Sequence, residues 1–129
     1  MVTLDDNFTI LCHGQPDGDT IGSGYALAYA LKQLGKKARV LCCDPIPLKF
    51  HFISNALEQD DISEEEETVI AVDVADNKLL GSLNEKYGSR VELCIDHHIS
   101  NVHYSKLLLL DSDAGANCEI IFEILKVLG

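Results

Sequence analysis

The stretch that decides the fold is His13-Gly-Gln-Pro-Asp17-Gly-Asp19-Thr-Ile-Gly-Ser23. An apolar run at residues 8–12 precedes it and predicts a buried strand. The run that follows it, at residues 25–34, predicts a helix that ends at Gly35. One histidine and two aspartates therefore lie on a loop between a strand end and a helix start. In an open α/β sheet, ligands bind in the crevice outside the carboxyl ends of the strands.

The rest of the chain alternates predicted strands with predicted helices. The strands are predicted at residues 8–12, 37–43, 68–73, 90–95 and 106–110. Further helices are predicted at residues 77–87 and 116–128, with Asp19 or Thr20 as the N-cap of the first helix. Residues 47–55 leave room for a short helix. This alternation predicts a single-domain α/β fold, Rossmann-like, with an open parallel five-stranded sheet and helices on both faces.

The composition fits one domain with a net negative charge. The chain has 129 residues, 47% of them hydrophobic, and a net charge of −11. That charge disfavours a broad basic surface for duplex nucleic acid, but not a small phosphorylated substrate, because bound cations reverse the local charge. No apolar run approaches the roughly 18 residues of a membrane span, and residues 1–7 do not resemble a signal peptide. We therefore expect a cytoplasmic protein without a membrane partner.

The acidic run and the cysteines are expected to have structural roles. Residues 60–67 include six acidic side chains, which predict a solvated loop. The cysteines contain no Cys-x-x-Cys pair, and we expect buried, reduced thiols that act as small hydrophobic side chains rather than as zinc ligands. They are Cys12, Cys42, Cys43, Cys94 and Cys118.

Polar side chains follow four of the predicted strands. The carboxyl ends of parallel strands meet at one edge of the sheet, so residues far apart in the sequence are expected to converge there. These residues are His13, Asp17 and Asp19 after the first strand, Asp73 and Asp76 after the third, Asp96, His97 and His98 after the fourth, and Asp111 and Asp113 after the fifth.

Carboxylates gathered in one crevice repel each other and need a positively charged partner. Two histidines supply too little charge near neutral pH, whereas one or two divalent cations suffice. Mixed histidine and aspartate ligation favours Mn, with Mg, Co, Zn and Fe as alternatives, and Asp73 could bridge two ions. Two metals about 3.5–4 Å apart are a recurrent device for phosphoryl chemistry, and the helix start at Gly22 and Ser23 offers amide donors to a substrate anion. We therefore predict metal-assisted hydrolysis of a phosphate ester or anhydride.

Each of these residues also has a structural interpretation. Asp17 and Asp19 could be turn and N-cap residues, Asp73 could start a turn, and the His97-His98 pair could be one core and one surface residue. For Asp76, support of a metal ligand and helix capping are equally favoured. The structural interpretation is favoured for Asp111, Asp113, His51 and His103.

The motifs resemble three signatures of the DHH phosphoesterase family. The stretch from His13 to Ser23 resembles the first, Val72-Asp73-Val-Ala-Asp76 the second, and Asp96-His97-His98 followed by Asn101 the third. The resemblance covers essentially the whole chain and is greatest to the nano-RNase/pAp-phosphatase and exopolyphosphatase-like branch. It implies a divalent-metal-dependent phosphoesterase that uses metal-activated water on pAp, short oligonucleotides or polyphosphate.

The resemblance also implies roles for individual residues. It implies two Mn ions, with Mg or Co as alternatives. The metal ligands it implies are His13 and Asp17 for one ion, Asp19 and His97 for the other, and Asp73 between them. It further implies that His98 faces the substrate phosphate and that Asp96 orients the histidine pair.

Two features of that family do not occur in the sequence. One is the fourth signature, an Asp-Thr-Gly-like segment, and the other is the smaller C-terminal substrate domain. We therefore expect residues 1–129 to be the DHH catalytic domain of a longer two-domain enzyme, with weak or no turnover alone, and a homodimer is compatible with the sequence. One alternative is a catalytically inactive regulatory or binding domain that retains the fold. Another is a metal-free nucleotide-binding module, which the lack of a Gly-x-Gly-x-x-Gly or P-loop motif disfavours.

Overall fold

Five parallel strands form the centre of the protein. The computed structural model describes residues 7–128, so residues 1–6 and the final Gly129 lie outside the described residues. The strands are β1 (Asn7–Leu11), β2 (Lys37–Leu41), β3 (Thr68–Val72), β4 (Val91–Asp96) and β5 (Leu107–Leu110). Neighbouring strands are all parallel, and their order across the sheet is β2-β1-β3-β4-β5. The predicted open parallel five-stranded α/β fold is confirmed.

Helices cover both faces of this sheet. They are α1 (Gly18–Gln33), α2 (His51–Ser54), α3 (Asn84–Tyr87) and α4 (Asn117–Leu128), with 3₁₀ segments at Leu48–Phe50 and Asn77–Leu83. On one face, α1 and α4 pack in the core that includes Ile70 and Val72 of β3. On the other face, Leu80 and Tyr87 pack against Val69 and its neighbours, so β3 is buried on both sides. Among residues 7–128, no helix has the length and apolar character that a membrane crossing requires.

The predicted continuous helix over residues 77–87 is wrong in its first part. Asn77–Leu83 forms 3₁₀ turns, and only α3 is α-helical. Gly81 interrupts the segment with φ 62° and ψ −131°, a conformation that glycine alone adopts readily. A Cβ at Gly81 would also lie 2.5 Å from the sulfur of Cys43. The segment therefore turns close under the loop that follows β2, and its Leu79 carbonyl accepts the N–H of Gly14 at 2.7 Å.

The cysteines are less uniformly buried than predicted. Cys12 and Cys94 are buried, and burial raises the pKa of their thiols to about 12 and about 11. All the cysteines are free, as predicted. Three of them are partly or fully exposed, which corrects the prediction: Cys42, Cys43 and Cys118. The first two lie beyond the end of β2, which is shorter than the predicted strand over residues 37–43.

The acidic run is not a uniformly solvated loop. Its middle residues are exposed, but the Glu67 side chain is 0% exposed. Its Oε2 accepts a hydrogen bond from the Arg39 guanidinium at 3.0 Å, and Arg90 lies 3.8 Å from its Oε1. The carboxylate of Asp60 accepts the backbone N–H of Ala38 at 3.0 Å. The prediction of solvation is therefore wrong for these two acids, which fasten the loop to β2.

Candidate metal centre

The predicted polar residues meet where the chain leaves the adjacent strands β1, β3 and β4. In the strand order β2-β1-β3-β4-β5, the strand that follows β1 in the sequence lies on one side of it, and the strand that follows β3 lies on the other side of the sheet. This topological switch point is where open α/β sheets form a binding crevice. The residues that gather there are His13, Asp17 and Asp19 from the β1 loop, Asp73 from the β3 loop, and Asp96, His97 and His98 from the end of β4.

Asp73 is at the centre of this group. It directly follows β3 with φ 62°, in the left-handed region that aspartate adopts more readily than most residues. Its N–H donates to the carbonyl of Ile95 at 2.9 Å, which holds it between β3 and β4. Its side chain is 3% exposed, and its buried Oδ1 receives no hydrogen bond. Burial of a carboxylate oxygen without a partner is costly, so this atom points to a cation as its partner.

His13 approaches Asp73 from the β1 loop. Its Nε2 is 3.6 Å from Asp73 Oδ2 and 3.7 Å from Asp17 Oδ1. Its Nδ1 lies 2.8 Å from the carbonyl of Gly14. Because a carbonyl can only accept, Nδ1 carries the hydrogen and Nε2 has a free lone pair whenever the ring is neutral. The Asp73 carboxylate, helped by the Gly14 carbonyl and Asp17, raises the pKa of His13 to about 9 against the opposing effect of burial.

His97 presents the same ring atom to the other oxygen of Asp73. Its Nε2 is 3.1 Å from Asp73 Oδ1 and 3.4 Å from Asp19 Oδ2. Its Nδ1 faces the carbonyl of Ala114 at 3.3 Å, which again leaves Nε2 as the lone-pair nitrogen of the neutral ring. The two oxygens of Asp73 therefore face two different histidines, His13 and His97. That is the arrangement of a carboxylate that can serve two ions.

Asp96 is fully buried and orients the third histidine. Its Oδ1 accepts the backbone N–H of His97 at 2.9 Å and lies 2.7 Å from Nδ1 of His98. Its Oδ2 accepts Nδ2 of Asn101 at 2.9 Å. Since the carboxylate accepts, Nδ1 of His98 carries the hydrogen, and Nε2 of this 42%-exposed side chain is left free. Asn101 belongs to the third signature, but sequence reasoning assigned it no role.

The start of α1 differs from the prediction in a way that affects the site. The N-cap is Asp17, whose extended backbone precedes Gly18 and whose Oδ1 accepts the N–H of Thr20 at 3.0 Å. Asp19 and Thr20, the predicted caps, lie in the first turn instead. The buried Thr20 hydroxyl donates to the Val72 carbonyl at 3.0 Å, which ties α1 to the end of β3. The carboxylate of Asp19 is thereby free for contacts outside its own helix.

Two groups of side chains in the described part of the chain have atoms close enough to share an ion. One comprises His13, Asp17 and Asp73, and the other Asp73, Asp96, His97 and His98, with the potential ligand atoms of each group within 4.8 Å of one another. Imidazole and carboxylate without thiolate suit Mn, Zn and related divalent ions. The orphaned Oδ1 of Asp73 beside Nε2 of His97, and its Oδ2 beside Nε2 of His13, fit such ions. The residues present therefore match a metal site.

Gly22 and Ser23, predicted to bind the substrate anion, lie in the contact between α1 and α4. Ser23 is 0% exposed, and its hydroxyl accepts Nδ2 of Asn117 at 3.2 Å. A Cβ at Gly22 would lie 3.1 Å from the sulfur of Cys118. Their positions do not support the predicted contact with a substrate. No pattern in the sequence singled out Asn117, whose partners become visible only when α4 is packed on α1.

Asp76 and Asp111 accept hydrogen bonds within their own turns. Asp76 caps the following 3₁₀ segment, because its Oδ1 accepts the N–H of Lys78 at 2.9 Å. Asp111 Oδ1 accepts the N–H of Asp113 at 3.1 Å, and both of these side chains are exposed. The structure therefore places the acids that follow β5 outside the group of residues around Asp73.

Comparison with known proteins identifies the family. The model described as "DHH family, N-terminal domain" matches residues 7–128. The chain therefore belongs to the DHH family, as the resemblance of its three signatures implied.

Individual relatives match nearly all of this chain, but they are considerably longer than it. The bifunctional oligoribonuclease and PAP phosphatase NrnA of Thermus thermophilus is 32% identical over 124 residues, and the protein of the same name from Bacillus subtilis is 27% identical over 124 residues. These matches cover 93% and 95% of this chain but only 36% and 39% of the two relatives. The crystal structure of an exopolyphosphatase-related protein from Bacteroides fragilis has the same fold, with a TM-score of 0.83 at 20% identity, over 96% of this chain and 40% of that one.

Proposed function

We propose that this chain is a metal-dependent phosphoesterase domain that hydrolyses phosphate esters or anhydrides. The observation that carries the proposal is the buried Asp73, whose oxygens face Nε2 of His13 at 3.6 Å and Nε2 of His97 at 3.1 Å. Membership of the DHH family and similarity to proteins named as oligoribonuclease and PAP phosphatase support the reaction class. The proposed substrates are pAp, short oligoribonucleotides and polyphosphate.

The proposed cofactor is a pair of Mn ions, with Mg or Co as alternatives. When bound, such ions polarise phosphoryl oxygens and lower the pKa of a water nucleophile. The residues that would hold them are His13 and Asp17 for one ion, Asp19 and His97 for the other, and Asp73 for both. The hydrogen bonds from Nδ1 of the two histidines to backbone carbonyls keep both rings turned with Nε2 toward Asp73.

His98 and Asp96 form the pair proposed to act on the substrate. Asp96 fixes the hydrogen of His98 on Nδ1, at 2.7 Å, and leaves Nε2 at the partly exposed edge of the ring. When protonated, Nε2 can donate a hydrogen bond to a substrate phosphate or a proton to the leaving oxygen. Asn101 and the His97 N–H also donate to Asp96, so this carboxylate stays in one orientation.

The chain matches only part of each NrnA relative, and this affects the activity that we expect from the chain alone. Because it corresponds to 36% and 39% of the two NrnA proteins, we propose that a C-terminal substrate domain in a longer protein supplies most substrate contacts, and that residues 1–129 alone hydrolyse slowly. The same observation favours the alternative, a regulatory or binding domain that retains the fold without turnover. The cytoplasmic location and the homodimer stay predictions from the sequence.

The proposal is tested first by metal binding. Metal-stripped chain is titrated with Mn²⁺, and the free ion is measured by electron paramagnetic resonance. We expect two bound ions per chain, loss of both in Asp73→Ala, and no change in the control Asp76→Ala, which alters a turn-capping acid outside the site. Failure of the wild-type chain to bind Mn²⁺ contradicts the proposal.

Hydrolysis is tested on the same samples with pAp, a short oligoribonucleotide and polyphosphate. We expect Mn²⁺-dependent product release below about 1 per second, the lower end of ordinary enzyme turnover, and none from Asp73→Ala. Mn²⁺ binding without hydrolysis of any of the three substrates supports the regulatory alternative instead.

A further inference from the structure

The first turn of α4 and the loop just before it contact the two residues of one proposed half of the metal centre, Asp19 and His97. The backbone N–H of Asn117 donates to Oδ2 of Asp19 at 2.9 Å, and the N–H of Cys118 donates to Oδ1 at 2.9 Å. In the loop just before α4, the carbonyl of Ala114 faces Nδ1 of His97 at 3.3 Å. One short segment of backbone thus holds two side chains that come from the β1 and β4 loops.

These contacts orient Asp19 without consuming its capacity to bind metal. The first N–H groups of a helix have no partner inside the helix, and the helix dipole favours a negative charge at that end. Two N–H donors fix the plane of the Asp19 carboxylate, with Oδ2 3.4 Å from Nε2 of His97. Because each carboxylate oxygen has two lone-pair sites, one on each oxygen stays available to a cation.

Buried side chains hold the start of α4 against α1. Asn117 is 0% exposed, and its Nδ2 donates to the hydroxyl of Ser23, one helical turn after Asp19 on α1. The sulfur of Cys118 lies 3.5 Å from the same hydroxyl. Ile120 is buried in the core on this face of the sheet. The position of the two N–H donors is therefore set by packing, and Ser23 has a role in that packing.

We propose that the first turn of α4 is the positioning element of the Asp19–His97 half of the metal centre, and that metal binding there and docking of α4 reinforce each other. This inference rests on the metal site of the proposed function. Linkage requires the coupling to be reciprocal: the factor by which docked α4 raises metal affinity is the factor by which the metal favours docked α4. Asn117 and Ser23 are positioning residues in this scheme.

Hydrogen exchange of the α4 amides tests this coupling without any assay of activity. We expect Mn²⁺ to slow exchange in α4 of the wild-type chain. His97→Ala should abolish this response, whereas His13→Ala, which alters the other half of the centre, should retain it. Exchange in α4 that is indifferent to bound Mn²⁺, or that responds equally in the two histidine variants, overturns the inference.

A matched pair of variants tests the backbone donor itself. Asn117→Pro and Asn117→Ala both remove the side chain, but only proline removes the N–H that Asp19 accepts, and proline is tolerated at the first position of a helix. We expect the proline variant to bind one of the two Mn²⁺ ions about tenfold more weakly than the alanine variant, the effect of losing one hydrogen bond to a charged group.

Equal Mn²⁺ affinity of the two Asn117 variants overturns the inference, and if the proline variant does not fold, the exchange experiment on the wild-type chain decides. A wild-type chain that binds no Mn²⁺ removes the proposed function and the inference with it, whereas Mn²⁺ binding with an indifferent α4 removes the inference alone.

Discussion

Nε2 of His97 lies 3.1 Å from Oδ1 of Asp73, an oxygen that is buried and receives no hydrogen bond. The carbonyl of Ala114 faces the other ring nitrogen of His97, so the hydrogen of the neutral ring points away from Asp73. Two lone pairs therefore face each other at hydrogen-bonding distance. Such a contact is stable only with a proton or a cation between the two atoms, and the predictions for this site follow from that requirement.

Replacing Asp73 with asparagine should separate metal binding from folding. The amide has the shape of the carboxylate but no charge, and it can donate to Nε2 of His97. Removing a side chain that supports a metal ligand typically costs about 10- to 100-fold in metal affinity. We therefore expect Asp73→Asn, which alters a proposed ligand, to weaken Mn²⁺ binding by about 100-fold or more. At a pH above about 9, where His13 is neutral, the free energy of unfolding of the metal-free chain should be unchanged or higher. Paramagnetic resonance and urea unfolding measure the two quantities, and an unaltered Mn²⁺ affinity would refute the bridging role.

Replacing Asp96 with asparagine should affect stability and the orientation of His98. The carboxylate accepts hydrogen bonds from His98, Asn101 and the backbone of His97. An asparagine in its place would turn its NH₂ group, a donor, toward one of these donors. We expect Asp96→Asn to lower the free energy of unfolding by about 1–3 kcal/mol and to slow hydrolysis while two Mn²⁺ ions still bind. Asn101→Ala is the comparison. It removes one donor to Asp96 and the acceptor of the His103 N–H, but His98 keeps its hydrogen bond to Asp96, so hydrolysis should be slowed less.

The pKa of His13 predicts how pH acts on the metal-free chain. Its pKa is raised from 6.5 to about 9, mainly by the Asp73 carboxylate. The resulting stabilisation is therefore fully present below pH 6.5 and is lost as the pH rises through about 9. Urea unfolding between pH 6 and 10 should show this decline in the wild-type chain and a smaller one in His13→Gln. A stability that rises over this range would contradict the assignment.

The same proton should compete with the metal. Below about pH 9 a cation must displace the proton on His13, so Mn²⁺ affinity should increase with pH up to about 9 and binding should release a proton. Calorimetric titration in two buffers of different ionisation enthalpy measures the number of protons released. Release that is the same in His13→Gln as in the wild-type chain would assign the proton to another group.

The acidic run offers a test that is independent of the metal centre. Glu67 is buried against Arg39, whereas its neighbour Glu66 is exposed. Removing one partner of a buried ion pair leaves the other charge uncompensated, so we expect Glu67→Ala to cost about 3–5 kcal/mol of unfolding free energy. Glu66→Ala should change it by less than about 0.5 kcal/mol. Similar effects of the two substitutions in urea unfolding would show that the pair with Arg39 contributes little.

Local patterns in the sequence were sufficient for the sheet and for much of the site. Apolar runs marked the strands within a few residues of their observed ends, and strands alternating with helices imply a parallel sheet. Once the strands are parallel, geometry alone brings the residues after β1, β3 and β4 to one edge. That is why the group around Asp73 could be predicted from segments separated by long stretches of chain.

Tertiary structure decided what each of those residues contacts. Asp17 rather than Asp19 caps α1, Gly81 breaks the predicted helix beneath Cys43, and Glu67 is buried beside Arg39. The hydrogen bonds from the first turn of α4 to Asp19 span sequence separations of 98 and 99 positions. Hydrophobic periodicity and capping preferences act over a few residues of chain, so they determine where elements begin and end. Partners across the fold depend on how α4, the loops and the sheet pack, and that packing is a property of the whole folded chain.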